Sequence, residues 1–432
     1  MRARAAEIVA ELADRLKDPE RVLEATTANG TRIDIGNVPC PPWDPSTLSR
    51  GPGALAMLFA ELGQTDEQHR AHAHRYLQLT MASTASLPLD GPFEGLGALV
   101  SATRIAAVRG DYGGILERLD LRVAEQARYL IAVQEAAQRD GRPTTAAVID
   151  VIGGLSGIGR YLLHRRSDVL PEVLSSLVTV LEPVEVDGVK VPGWWYDGTT
   201  KTTVGPGFEQ GQLNFGLAHG IPGPLGLLSL ARSQGVEVPG QAEAITTMAD
   251  WLVEWREVDA YGPYWTGYID LEYYAGRGAT AEKPKPARAS WCYGAPGVAR
   301  SLEMAAAALD RPDWNDAGLA AVKSLAARPF EDWAVSDDAL CHGWAGLLHM
   351  FAGLDRRQPG VVGPVVEKLA GRLVESFDPG TPFGYRYYQP MADLWLDLPG
   401  LMEGAAGVAL ALDSYARDAD PVTGWDSLLL LS

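Results

Sequence analysis

A glycine that recurs ahead of an uncharged run of small residues constrains this chain more than any other feature. The pattern appears in "LSRGPGALAMLF" (48–59), "PFEGLGALVSAT" (92–103), "VIGGLSGIGRYLL" (151–163) and "LAHGIPGPLGLLSL" (217–230). It returns in "WCYGAPGVARSLEM" (291–304), "LCHGWAGLLHMFAGL" (340–354) and "LMEGAAGVALALDS" (401–414). The anchoring glycines are Gly53, Gly97, Gly157, Gly223, Gly297, Gly346 and Gly407, and in the last five units a second glycine stands three positions earlier. The first two units carry Arg50 and Glu94 at that earlier position and match more loosely. Self-similarity of this kind marks a repeat protein, in which each unit buries its apolar face against its neighbours.

Between these runs lie amphipathic stretches. "LRVAEQARYLIAVQEAA" aligns Val123, Ala127, Leu130, Ile131 and Gln134 on one stripe, and "EAITTMADWLVEW" aligns Ile245, Met248, Ala249 and Leu252 on another. The chain thus alternates an amphipathic helix with a helix that is apolar all round. The second kind must be buried on every side, and glycine at its start allows close backbone approach. An open solenoid would expose two ends and need caps. The expected fold is therefore all-α: a closed α/α toroid of about seven helix pairs, one domain over residues 1–432. Strand signals are sparse. Val184, Val186, Val189 and Val191 alternate around Asp187-Gly188 and predict a minor hairpin within 184–198. The stretch "YGPYWTGYIDLEYYAGRG" (261–278) reads as an extended loop over one face.

Composition narrows the partners. With 37 Lys+Arg against 55 Asp+Glu, the net charge of −18 argues against nucleic acid and against anionic membrane surfaces. Three cysteines make no disulfide framework, so a reducing cytoplasm is expected. The opening "MRARAAEIVAELADRLKDPE" lacks the apolar core of a signal peptide. The longest uncharged stretch, Gln210 to Ala231, is broken by Pro222 and Pro224, so no membrane insertion is expected.

Aligning the units turns scattered polar residues into a register. Just before the earlier glycine stand Gly153, His219, Tyr293, His342 and Glu403 in units three to seven; one residue before those stand Ile152, Ala218, Cys292, Cys341 and Met402. Two of the three cysteines therefore share one position in consecutive units. Packed helices lie about 8–10 Å apart, so Cys292, Cys341 and His342 can converge on one ion with Zn–S bonds of about 2.3 Å. Three protein ligands leave the fourth tetrahedral position open, as in catalytic zinc sites. Cys40 lies outside the register and reads as structural. His349 reads as packed, His69, His72 and His74 as a solvated helix face, and His164 as surface. Tyr261, Tyr264, Trp265, Tyr268, Trp194 and Trp195 are candidates to line a peptide groove.

"WCYG" (291–294), "CHG" (341–343), "GLAHG" (216–220) and "DVIGGLSGI" (150–158), in this combination, resemble the lanthionine synthetase C-like cyclases along nearly the whole chain. The resemblance implies a stand-alone zinc enzyme, with one Zn²⁺ per chain, that adds peptide cysteine thiols to dehydroalanine or dehydrobutyrine. The products are lanthionine and methyllanthionine thioether rings. It implies Cys292, Cys341 and His342 as metal ligands, His219 as candidate acid/base, and Asp150, Arg288 and Tyr293 as further active-site positions. The implied partners are a dehydrated precursor peptide (leader plus core) and a separate dehydratase. A transporter and peripheral association with a membrane-bound complex are compatible with it. Two rivals share the residues: addition of glutathione to dehydrated residues, and a non-catalytic zinc-containing peptide scaffold. Protein prenylation lacks an Asp-x-Cys ligand pair here. Toroidal glycosidases need paired acids, whereas Glu94 and Glu403 belong to units two and seven.

Overall fold

The recurrent glycines start helices, as their spacing predicts. A computed structural model describes residues 1–28, 34–35, 38–196, 208–276 and 283–432. The helices that build the repeats are, in chain order, α1 (Arg2–Leu16), α2 (Pro52–Leu62), α3 (His69–Thr84), α4 (Leu96–Ala106), α5 (Gly113–Arg139), α6 (Leu155–Arg165) and α7 (Leu170–Val178). They continue with α8 (Pro222–Ser233), α9 (Gln241–Glu254), α10 (Ala295–Leu309), α11 (Pro312–Ala326), α12 (Trp344–Arg357), α13 (Gly363–Ser376) and α14 (Ala405–Arg417). Gly154, Gly294, Gly343 and Gly404 cap α6, α10, α12 and α14. In the two looser units the cap is still glycine, one residue later, at Gly51 and Gly95.

The second glycine of each pair has a steric cause. A Cβ on Gly346 would stand 2.0 Å from the carbonyl oxygen of Leu340, and one on Gly407 would stand 1.9 Å from that of Leu401. The chain folds back so tightly onto the first helical turn that no side chain fits there. Gly407→Ala is expected to cost more than about 2 kcal/mol of stability, because backbone rather than a flexible side chain must move. An unchanged denaturant midpoint would refute this account.

The described chain divides into two compact units. In the first, residues 1–119 and 334–427 with Ser432, the apolar helices pack in the order α12, α14, α2, α4. Every residue of α2 is buried, as are Ala405 to Tyr415 of α14. Helix α3 covers α2, α13 covers α12, and α1 covers α14. The amphipathic partner of the last glycine helix thus comes from the start of the chain, burying Ile8, Leu12 and Leu16. In the second unit, residues 120–333 and 428–431, α6, α8 and α10 pack in series, covered by α7, α9 and α11. Ile245, Met248, Ala249 and Leu252 are fully buried, which bears out the stripe read on α9.

Strands β1 (Val184–Val186) and β2 (Val189–Val191) form the expected hairpin, with Asp187 and Gly188 both at positive φ as a type I′ turn needs. Residues 197 and 198 of that stretch lie outside the described residues. The stretch at 261–278 differs from expectation. Its described part holds strand segments at Gly262–Tyr264 and Tyr268–Ile269 and a short helix at Leu271–Gly276. Trp194, Trp195, Tyr264 and Trp265 are buried, so these four are core rather than groove lining. The histidines also differ in part: His69 and His72 pack against the Phe59 ring at 5.6 and 5.2 Å, whereas His164 is exposed. His349 is buried and bonds Asp426 at 3.0 Å. Among the described residues no helix is long and apolar enough to cross a membrane.

Candidate metal centre and acid–base site

The turn between the fold-back carbonyl and the glycine cap holds the register positions, and backbone hydrogen bonds tie these turns together. In the second unit Val151 N–H donates to the Ala218 carbonyl (2.9 Å), and Ala218 N–H approaches that of Cys292 (3.5 Å). In the first unit Cys341 N–H donates to Met402, Leu401 to Leu48 and Leu48 to Phe93, each at 2.9 Å. Residues equivalent in sequence are therefore neighbours in space within each unit.

In the second unit Asp150 is buried and its Oδ1 accepts Ile152 N–H and Gly153 N–H, the latter at 2.9 Å. Its Oδ2 lies 2.5 Å from His219 Nδ1. A carboxylate only accepts, so Nδ1 carries the proton and Nε2 is left for other chemistry. Tyr196 O–H donates to the His219 carbonyl and fixes the backbone below the ring. Burial draws the imidazole toward neutrality, but the Asp150 charge, the hydrogen bond to it and the nearby Cys292 outweigh that and raise its pKa. Asp150→Asn removes the main opposing charge, so the His219 pKa is expected to fall, measurable by NMR titration of the ring. The sign carries over to stability: a pKa raised on folding stabilises fully below the unfolded value and is lost as pH rises through the folded one. The variant is therefore expected to lose more stability at acidic than at alkaline pH.

Cys292 is buried, with Ser290 Oγ 3.4 Å from its sulfur. The Ser290 hydroxyl also accepts Tyr293 N–H at 2.9 Å and holds the turn. The rings of Tyr293 and His219 lie 6.4 Å apart. Arg288 is half-buried and, among the described residues, makes no ion pair; its charge is felt at Tyr268.

In the first unit Cys341 is half-buried and His342 largely so. Asp337 is fully buried; its Oδ1 accepts Ala339 N–H at 2.9 Å and its Oδ2 stands 4.0 Å from His342 Nε2. The edge of Tyr387 contacts the His342 ring at 5.6 Å. Glu403 is held by Arg50, 2.8 Å away, and Arg50 is also near Cys40.

Among the described residues Cys292, Cys341 and His342 are the group that could hold a metal ion. Each offers one ligand atom, and these lie within 4.8 Å of one another. Cys40 is not part of that group. Sequence reasoning missed Asn214, Ser290 and Asp337 and offered Tyr268 only as one of six aromatics that line a peptide groove. Ser290 and Asp337 lie within a few residues of the motif cysteines, where turn-capping side chains are a readable signal. Asn214 carries no such signal.

The Nisin biosynthesis protein NisC of Lactococcus lactis subsp. lactis is 22% identical over 416 residues, which span 94% of this chain and 92% of that protein. The solved structure of nisin cyclase is similar with a TM-score of 0.70 and 20% identity, over 99% of this chain and 96% of that one. That likeness shows the fold to be the all-α α/α toroid that the repeats predict. The sequence profile of the lanthionine synthetase C-like proteins matches residues 42–430, and the chain belongs to that family.

Proposed function

We propose that this protein is a zinc-dependent lanthipeptide cyclase that closes thioether rings in a dehydrated precursor peptide. The donor group of two thiols and one imidazole carries the reading. Ligand atoms around tetrahedral zinc stand about 3.5–3.8 Å apart, so donors within 4.8 Å need only a small closure. Three donors leave one coordination position for substrate, whereas a purely structural site is normally filled by four protein ligands. Cys292, Cys341 and His342 would hold the ion. When bound, zinc supplies charge that deprotonates a substrate thiol lying near pKa 8.5, while two protein thiolates keep the site's net charge low enough for that sulfur to stay nucleophilic.

The chain's own residues handle the proton and the developing charge. A sulfur–carbon bond forms at the β-carbon of the dehydroamino acid as the π electrons move toward the carbonyl oxygen. The proton lost from the thiol is balanced by one delivered to the α-carbon, and nothing else is released. His219, its Nδ1 held by Asp150, presents Nε2 for that transfer. Arg288, without an ion-pair partner among the described residues, is available to the oxygen that gains charge. The family relationship and the likeness to a nisin biosynthesis protein and to nisin cyclase support a dehydrated precursor peptide as substrate.

Ring closure changes no mass, so the test counts thiols. Incubation with zinc and a dehydrated, cysteine-containing peptide is expected to remove thiols that N-ethylmaleimide labels in the starting peptide. Full labelling after incubation would overturn the reading. Full labelling kept together with a gain of one glutathione mass, when glutathione is supplied, would assign the addition to the external thiol instead.

A further inference from the structure

We propose that Tyr268 is a positioning residue for thioether closure, acting through Tyr293 to aim that residue's phenolic hydrogen at the reacting carbonyl oxygen. The proposal rests on the cyclase reading and adds to it two residues, Tyr268 and Asn214, that come from outside every repeat motif.

The long connection between α8 and α10 sends a strand back to the site. Strand β3 (Leu213–Asn214) pairs antiparallel with β4 (Tyr268–Ile269), and Tyr268 stands directly opposite Asn214. Phe215 N–H donates to the Gly267 carbonyl at 3.1 Å and extends the pairing. The phenol of Tyr293 enters between them. Its ring lies so close to Gly216 that a Cβ there would come within 2.6 Å of Cε1, so the ring has one seat.

The hydrogen bonds around the Tyr293 oxygen can be counted. Asn214 Oδ1 accepts Gly216 N–H at 2.8 Å, which fixes the amide so that Nδ2 faces Tyr293 Oη at 3.3 Å. An amide NH₂ only donates, so one lone pair of the phenol is filled. The Tyr268 hydroxyl lies 2.5 Å from the same oxygen. Tyr268 is the donor of this bond and Tyr293 its acceptor. The second lone pair is then filled as well, and the hydrogen of Tyr293 has no acceptor among the described residues; the His219 ring lies 6.4 Å from the Tyr293 ring, centre to centre. A hydroxyl that accepts two hydrogen bonds donates more strongly, because bonds in a chain polarise one another. Donors fixed before the reaction and aimed at developing negative charge are the most effective kind.

The test is a double-substitution cycle with zinc content and peptide labelling measured on each protein. Tyr268→Phe keeps the ring and removes only the hydroxyl. It is expected to lower kcat at least about tenfold, with KM and zinc content unchanged, and to have no further effect in a Tyr293→Phe background. Asn214→Asp still accepts Gly216 N–H but turns the donor facing Tyr293 into an acceptor. It captures the phenolic hydrogen and is expected to lower kcat with zinc retained. Wild-type kcat in Tyr268→Phe, or the same fractional loss in both backgrounds, would overturn the proposal while leaving the cyclase reading intact. A wild-type protein that closes no ring overturns both.

Discussion

Cys341→Ala is expected to lose zinc and ring closure together. A buried cysteine that merely packs is replaced by alanine with a modest loss of stability and no change in metal content. A ligand behaves differently, since two remaining donors, Cys292 and His342, cannot hold zinc in competition with water as three can. Zinc is expected to fall from one per chain to none, and peptide thiols to stay fully labelled. Cys292→Ala is expected to match it, because the two sulfurs and the imidazole offer one ligand atom each within 4.8 Å. Full zinc in either variant would remove that cysteine from the ligand set. Cys40→Ala is the control: it lies outside the group and is expected to keep both zinc and activity.

The second large effect separates the proton-handling residue from the metal. His219→Ala is expected to retain one zinc per chain while cyclising about 10²–10⁴-fold more slowly. The imidazole bonds Asp150 rather than a metal donor, so its removal leaves the three ligands in place. Because Oδ1 of Asp150 is held by two backbone amides of its own turn, His219→Ala leaves the carboxylate in place and strips a partner from Oδ2 alone. Wild-type rates would take His219 out of the mechanism, and lost zinc would make it part of the metal site instead.

Much of this is legible in the sequence because a repeat converts position into place. Once the glycines are aligned, Cys292 and Cys341 share a register, and their turns carry backbone bonds to equivalent turns in their own units. The hairpin at Asp187-Gly188 is legible from local chemistry alone, since only a few residues tolerate two positive φ values in a row. What escapes are pairings made across distance without a periodic signal. Nothing in "LNFG" or "TGYID" announces that Asn214 and Tyr268 face each other, because two-residue strands have no alternation to read. That α1 covers α14 escapes for a different reason: an amphipathic stripe specifies that a helix is covered, not by which partner. The aromatic candidates at Trp194, Trp195 and Trp265 mislead because a large ring serves burial as readily as recognition.

The bonds that join one turn to the next within each unit run from amide to carbonyl and involve no side chain. Attachment and reactivity are thus written in separate alphabets at these positions. Side chains as different as a thiol, a methyl and a thioether already stand there, at Cys341, Cys292, Ala218 and Met402, over the same backbone bonds. The turns act as a row of sockets with a common fitting. The fastening of one turn to the next is thus indifferent to which side chain the position carries.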